Sequence, residues 1–87
     1  MGKKPEQKLP TLDLHGRQTD EVYDLLDNFI TRQVDNGTSR VRVMPGKGSG
    51  KVKAVVQDYL KRAHYPWQFE RLSNGQQNEG VMVVFLD

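Results

Sequence analysis

The sequence of 87 residues contains no cysteine, and this absence excludes two classes of structure. Without thiols the chain can form neither a disulfide framework nor a thiolate metal site. It has no apolar run long enough to span a bilayer, and residues 1–10 lack the apolar segment of a signal peptide. The length suffices for one small domain, which argues against a large enzyme with a buried cofactor cleft. We therefore expect a cytoplasmic protein without a membrane partner.

Charge is spread unevenly along the chain, although the net charge is only +2. Residues 19–36 contain five acidic side chains and one basic side chain, a net charge of −4. Residues 37–65 contain seven basic side chains and one acidic side chain, a net charge of +6. A basic half beside an acidic half indicates a surface for a polyanion, although ordinary solvated faces give the same pattern. Residues 1–10 are polar and aperiodic, which predicts a disordered basic arm before a domain at 11–87.

Hydrophobic periodicity predicts the element order β-α-β-α-β-β. The first helix is amphipathic, with Thr19 as its N-cap and Gly37 as its stop signal. Ser49 is the expected N-cap of the second helix, and His64 should lie at the end of that helix far from its start. The last strand is apolar throughout, so we expect it to be central and buried on both faces. The predicted elements are strands at 11–15, 40–44, 67–72 and 81–86 and helices at 19–36 and from 49 to about 64.

A glycine-rich turn joins the second strand to the second helix. After Pro45, three glycines alternate with Lys47, Ser49 and Lys51. Glycine lets a ligand approach the main chain, and a helix start offers free N–H groups and the positive end of a dipole. The spacing matches neither a Walker A loop nor GxGxxG, and such turns also occur without any ligand. The predicted phosphate-binding residues are Gly46, Lys47, Gly48, Ser49, Gly50 and Lys51.

The predicted topology brings a second group of residues to this turn. A strand–helix–strand connection normally gives parallel strands, whose C-terminal ends lie side by side. Asp13 and His15 share one face of the first strand, so they should meet the glycine turn at the edge where α/β sheets bind ligands. Histidine can transfer a proton near neutral pH, and Asp13 can orient it or help to hold a metal ion. This arrangement suits phosphodiester hydrolysis, although His15 alternatively satisfies only its structural neighbours.

Two motifs together resemble the small MutS-related (Smr) domain family. They are Leu12-Asp13-Leu14-His15-Gly16 and, after an amphipathic helix, Pro45-Gly46-Lys47-Gly48-Ser49-Gly50-Lys51; the tail at 74–86 also looks like the final hairpin of that domain. The resemblance covers residues 9–87. It implies a two-layer α/β sandwich similar to the C-terminal domain of translation initiation factor three, with a mixed four-stranded sheet and both helices on one face. It also implies nucleic-acid binding, endonuclease activity on DNA or RNA in many members, and a connection to DNA repair.

The family's acid and histidine correspond to Asp13 and His15, and its Gly-x-Gly loop corresponds to 46–48. One departure is Pro45, because the family often has His or Thr before this loop and proline offers neither a proton nor an N–H group. The first hypothesis is therefore a nuclease with His15 as general acid or base and Asp13 supporting it. The alternatives are a non-catalytic nucleic-acid-binding module and a protein-interaction adaptor that uses the apolar sheet edge.

The expected ligand is DNA or RNA, bound through its backbone by a monomer of this protein. Such contacts carry little sequence information and weaken steeply with salt. Asp13 and His15 alone supply too few ligands to define a metal site, so no metal ligands are assigned. A divalent ion, Mg²⁺ or Mn²⁺, is kept as an alternative for the cofactor. The predicted contacts to the nucleic-acid backbone are Arg17, Arg40, Arg42 and Lys53.

Overall fold

The computed structural model describes residues 9–46 and 50–87, which form four strands and two helices. The observed order is β-α-β-α-β-β, which confirms the predicted order. The elements are β1 (Thr11–Asp13), α1 (Thr19–Asp35), β2 (Arg40–Met44), α2 (Lys51–Ala63), β3 (Trp67–Arg71) and β4 (Gln77–Phe85). Residues 1–8 of the arm predicted at 1–10 and three loop residues, Lys47, Gly48 and Ser49, lie outside the described residues. None of the described helices is long and apolar enough to cross a membrane.

The ends of α1 follow local hydrogen-bonding rules, with one correction to the sequence prediction. The N-cap is Gln18, not Thr19: Gln18 is extended, with φ −82° and ψ 149°. Its backbone N–H donates to Glu21 Oε2 over 3.0 Å, the bond that a carboxylate in the first turn makes to the residue before a helix. The helix ends as predicted at Gly37, whose φ of +78° is left-handed and suits glycine.

The second helix begins directly after the glycine turn. Gly50 precedes it with φ +87°, and the predicted cap, Ser49, lies outside the described residues. His64 closes the helix in the left-handed region at φ 63°, and its backbone N–H bonds back to the last turn. His64 therefore lies at the far end of α2 from the glycine turn, as predicted.

The four strands form one mixed sheet in the order β1-β2-β4-β3. β1 and β2 are parallel, whereas β4 is antiparallel to both β2 and β3. β4 is central, as predicted, but it begins at Gln77 and not at Val81. Its burial on both faces is confirmed only in part, because Val83 and Phe85 are half-buried while Met82 and Val84 are fully buried.

The core lies between one face of this sheet and both helices. Inward-facing side chains of β2 and β4 meet the apolar stripes of α1 and α2 in one cluster, since a sheet and an amphipathic helix each bury one face. Both helices therefore cover the same face, and the predicted two-layer sandwich is confirmed. The buried members are Leu14, Val22, Leu26, Ile30, Val41, Val43, Val56, Tyr59, Leu60, Met82 and Val84.

Candidate active site

The parallel register of β1 and β2 brings two distant loops to one edge of the sheet. Asp13 lies opposite Met44, and the Leu14 N–H donates to the Met44 carbonyl over 2.8 Å. The Leu14 side chain is fully buried, which fixes the chain where it leaves β1. The segments that follow the two strands are consequently neighbours, as the predicted crossover required.

Gly46 packs directly against His15. Gly46 has φ +91°, and a Cβ atom added to it would lie 3.3 Å from His15 Cβ and 3.5 Å from His15 Cα. Real Cβ contacts are rarely this short, so a side chain at position 46 would have to displace the histidine. Pro45, just before it, is buried. Glycine at this position thus allows both the left-handed turn and the close approach of the two loops.

Asp13 and His15 form the chemical centre of this edge. The backbone N–H of His15 donates to Asp13 Oδ1 over 3.0 Å, and the same oxygen lies 3.4 Å from His15 Nδ1. The carboxylate therefore faces one nitrogen of the ring, and the opposite nitrogen, Nε2, points away from it. Both side chains are accessible to a ligand, with 78% of His15 and 52% of Asp13 exposed. The predicted proximity of the two residues is confirmed.

The glycine turn adjoins the N-terminus of α2, which is the positive end of the helix dipole. Gly46 and Gly50 bound the turn, and Lys51 is the first residue of the helix. The first turn of α2 contains no acidic side chain, so nothing in that turn offsets the partial positive charge of the helix start. Three predicted phosphate-binding residues, Lys47, Gly48 and Ser49, lie outside the described residues and stay predictions.

Two predicted backbone contacts lie near this edge, and both have acidic neighbours. Arg17 Nη1 is 3.7 Å from Glu21 Oε1, with 54% of the arginine side chain exposed. Exposed pairs of this kind contribute little, so Arg17 can exchange its carboxylate for a phosphate. Lys53 is 26% exposed, with Nζ 3.9 Å from Glu79 Oε1 and 5.3 Å from the centre of the Phe69 ring. Lys53 is therefore held in place more firmly than Arg17.

The other two predicted contacts lie on the face of the sheet that has no helices. Arg40 and Arg42 alternate with buried residues of β2, and Arg40, at the start of that strand, is exposed at the end away from the glycine turn. Arg42 Nη2 donates to Glu70 Oε1 over 3.1 Å, and Nε lies 3.0 Å from Oε2. The distance from Nε to Oε2 is short, but the Nε–H group of Arg42 makes no hydrogen bond to a described residue. Glu70 thus offsets the charge of Arg42, which sequence reasoning missed.

Few side chains at this edge can bind a metal. In the described part of the chain, no group of three or more His, Cys, Asp or Glu residues lies close enough to hold an ion. Asp13 and His15 supply one oxygen ligand and one nitrogen ligand. Mg²⁺ is often held by one or two carboxylates together with substrate phosphates, so this pair fits such an ion only when substrate oxygens complete the site.

The chain matches the family model of the Smr domain over residues 12–87. Among curated proteins, it is 32% identical to Endonuclease MutS2 of Helicobacter pylori (strain ATCC 700392 / 26695) over 83 residues, covering 95% of this chain and 11% of that protein. It is 32% identical to Endonuclease MutS2 of Fusobacterium nucleatum subsp. nucleatum over 75 residues, covering 86% of this chain and 10% of that protein. The chain thus spans about a tenth of the length of these relatives.

Solved structures show the same architecture. The Smr domain of Thermus thermophilus MutS2 superposes with a TM-score of 0.76 at 26% identity, covering 91% of this chain and 99% of that one. YdaL, a stand-alone small MutS-related protein from Escherichia coli, superposes with a TM-score of 0.75 at 20% identity. That match covers 87% of this chain and 63% of the YdaL chain, and it bears on the fold alone.

Proposed function

Because the chain belongs to the Smr domain family, we propose that it binds DNA or RNA and hydrolyses phosphodiester bonds in the bound strand. The observation that carries this proposal is the contact between His15 and Gly46. It joins the acid–histidine motif to the glycine turn, although some thirty residues separate them in the sequence. The name of the MutS2 relatives, endonuclease, supports the same activity.

The glycine turn would hold the phosphate. Among the described residues, open space surrounds Gly50, and the turn adjoins the N-terminal end of α2, which is the positive end of the helix dipole. Together with Lys51 and the sequence-predicted Lys47, this helix end would stabilise the charge that grows on the phosphate oxygens. Gly48 and Ser49 are assigned to the same role from the sequence.

The acid–histidine pair would move the proton. Asp13 lies beside His15 Nδ1 and favours the form of the ring in which that nitrogen carries hydrogen, which leaves Nε2 to accept a proton. Nε2 would take a proton from the attacking water as its oxygen bonds to phosphorus. The bond from phosphorus to the sugar oxygen breaks in the same displacement, and the leaving sugar oxygen keeps the bonding electrons and takes a proton from a solvent water molecule. Asp13 supports the imidazolium that forms, by its charge and its position.

Basic side chains along this edge would bind the strand on either side of the cut. Arg17 lies beside the turn, and Lys53 lies near it with its charge partly offset by Glu79. Arg40, at the other end of β2, would extend contact over the open face of the sheet. Contacts to phosphates position a nucleic acid without reading its sequence. Binding should therefore depend on the structure or the ends of the nucleic acid, and it should weaken as counterions compete for the phosphates.

A second candidate function is nucleic-acid binding without cleavage. Pro45 favours it, because the position before the Gly-x-Gly turn carries a buried ring with no side-chain donor and no backbone N–H. If the reaction requires a proton donor or hydrogen bond from this position, only the binding part of the site remains. The two candidates differ in whether the protein breaks strands under conditions in which it binds them.

A cleavage assay with matched histidine variants distinguishes the two functions. Supercoiled plasmid and structured RNA are incubated with the wild-type protein, with His15→Asn and with His64→Asn, each with added Mg²⁺, with Mn²⁺ or with a chelator. His64 is the appropriate control because it lies at the far end of α2 and asparagine tolerates its left-handed backbone. We expect nicking by the wild type and His64→Asn, and a loss of about 10²-fold or more in His15→Asn.

Equal nicking by all three proteins would remove His15 from the reaction. Binding without nicking by any of them would support the second candidate. Absence of both binding and nicking would contradict the proposed function altogether.

A further inference from the structure

A cleft of about 480 Å³ borders the glycine turn at Gly46 and Gly50. It runs between the start of α2 and the turn that joins β3 to β4, and its volume falls within the range of small-ligand sites, about 300–1,000 Å³. The acid–histidine pair does not line it, and among its lining residues the function proposed above uses only Gly46, Gly50 and Lys53. The lining residues are Gly46, Gly50, Lys53, Leu72, Gln77, Asn78 and Glu79.

An irregularity in β4 shapes one wall of this cleft. Phe69 lies opposite Met82, but the next residue, Glu70, lies opposite Asn78, so residues 79–81 bulge out of the ladder. Bulges redirect side chains and are common beside active sites. The Gly80 N–H donates to Asn78 Oδ1 over 3.0 Å. The carbonyl oxygen of that amide is thereby engaged, and its NH₂ group is directed elsewhere as a hydrogen-bond donor.

The charges in the cleft largely balance each other. Lys53 Nζ lies 3.9 Å from Glu79 Oε1, so the lysine brings little net positive charge into the space. A second phosphate would meet the Glu79 carboxylate there, which is unfavourable. The remaining walls offer amides from Gln77 and Asn78 and an apolar surface from Leu72, which is 44% exposed.

We propose that this cleft binds an unpaired nucleobase, from the nucleotide next to the phosphate held at the glycine turn. Amide and carboxylate side chains are the groups that hydrogen-bond to base edges, and an apolar side chain can lie against a base face. Gly46 lines the cleft and also approaches His15 closely, so the base and the cut would both lie next to this one residue. This inference rests on the proposed function and adds that the substrate has an unpaired base beside the cut.

The test compares duplexes that differ only in the presence of one base. One duplex carries a single bulged nucleotide, and the other carries an abasic nucleotide at the same bulge, so that their charge and shape are closely matched. Dissociation constants are measured by fluorescence anisotropy. The wild-type protein should bind the duplex with the base about tenfold more tightly, as one or two hydrogen bonds and an apolar contact allow.

Two pairs of variants test whether the preference for the duplex with the base arises in the cleft. Gln77→Ala is compared with Gln76→Ala, the same change one residue earlier in the turn, where the side chain does not line the cleft. Leu72→Ala is compared with Val34→Ala, which truncates a side chain of nearly equal exposure, 42%, on α1. The tenfold ratio between the two duplexes should fall to about threefold or less in each cleft variant and persist in each control.

Equal affinity of the wild type for the two duplexes would overturn the inference while leaving nucleic-acid binding intact. A preference that survives both cleft variants would also overturn it, by placing the base elsewhere. Failure to bind either duplex or any other nucleic acid would instead contradict the proposed function on which the inference rests.

Discussion

Replacing Gly46 with alanine tests whether the approach of the two loops positions His15. The added methyl group acts in two ways, and each has its own magnitude. A left-handed backbone costs alanine about 1–2 kcal/mol relative to glycine, and the φ at this position is +91°. The methyl would also lie 3.3 Å from His15 Cβ, so the histidine must move by a few tenths of an ångström.

The strained backbone lowers the melting temperature, whereas the displacement of His15 lowers the rate of nicking. A loss of about 1–2 kcal/mol should lower the melting temperature of a domain this small by roughly 4–16 °C. A shift of 1 Å in a reacting group can cost about 10²-fold in rate, so a smaller shift of His15 should slow nicking by about three- to tenfold. The rate must be measured at a temperature where the variant is fully folded.

Gly37→Ala is the matched control. Gly37 has a similar φ of +78°, but nothing lies within 4 Å of an added Cβ. This variant should lose comparable stability and retain the wild-type rate. If Gly46→Ala instead nicks plasmid at the wild-type rate, or if both variants lose rate equally, the contact with His15 does not position the reaction.

Two further predictions concern a helix contact and the charge of the sheet face. Tyr59→Phe removes the 2.8 Å hydrogen bond to Asp27 and should lower stability in urea by about 1–2 kcal/mol at pH 7. Burial, with this hydrogen bond, raises the pKa of Tyr59, so the stabilising effect of Tyr59 is complete below the usual tyrosine value of about 10 and is lost as pH rises above it; a difference between the urea midpoints of the two proteins that stays the same from about pH 8 to about pH 12 would contradict this assignment. Glu70→Gln removes the carboxylate beside Arg42 and should strengthen nucleic-acid binding, with a salt slope steeper by about one; an unchanged slope would show that Arg42 does not contact phosphate.

Much of the fold followed from patterns within single segments. The alternation of Val41 and Val43 with arginines indicates a strand with one buried face, and the apolar stripe of α1 indicates an amphipathic helix. Gly37 ended α1 as expected because only a residue that tolerates positive φ suits that position. The cap at the start of α1 was less predictable, since threonine is a preferred N-cap residue, whereas the observed cap, Gln18, bonds through its backbone N–H to the Glu21 carboxylate.

By itself, the sequence determined the order of the elements, the parallel pairing of β1 and β2, and the meeting of Asp13 and His15 with the glycine turn. These features follow from local periodicity and from the crossover rule, which short stretches of chain suffice to express. Only the tertiary structure decided that Glu70 offsets the charge of Arg42 and that Gln77 and Asn78 line one cleft with the start of α2. Those contacts depend on the place of β4 between β2 and β3 and on the bulge in its register, because side chains far apart in sequence become neighbours only through strand order and register.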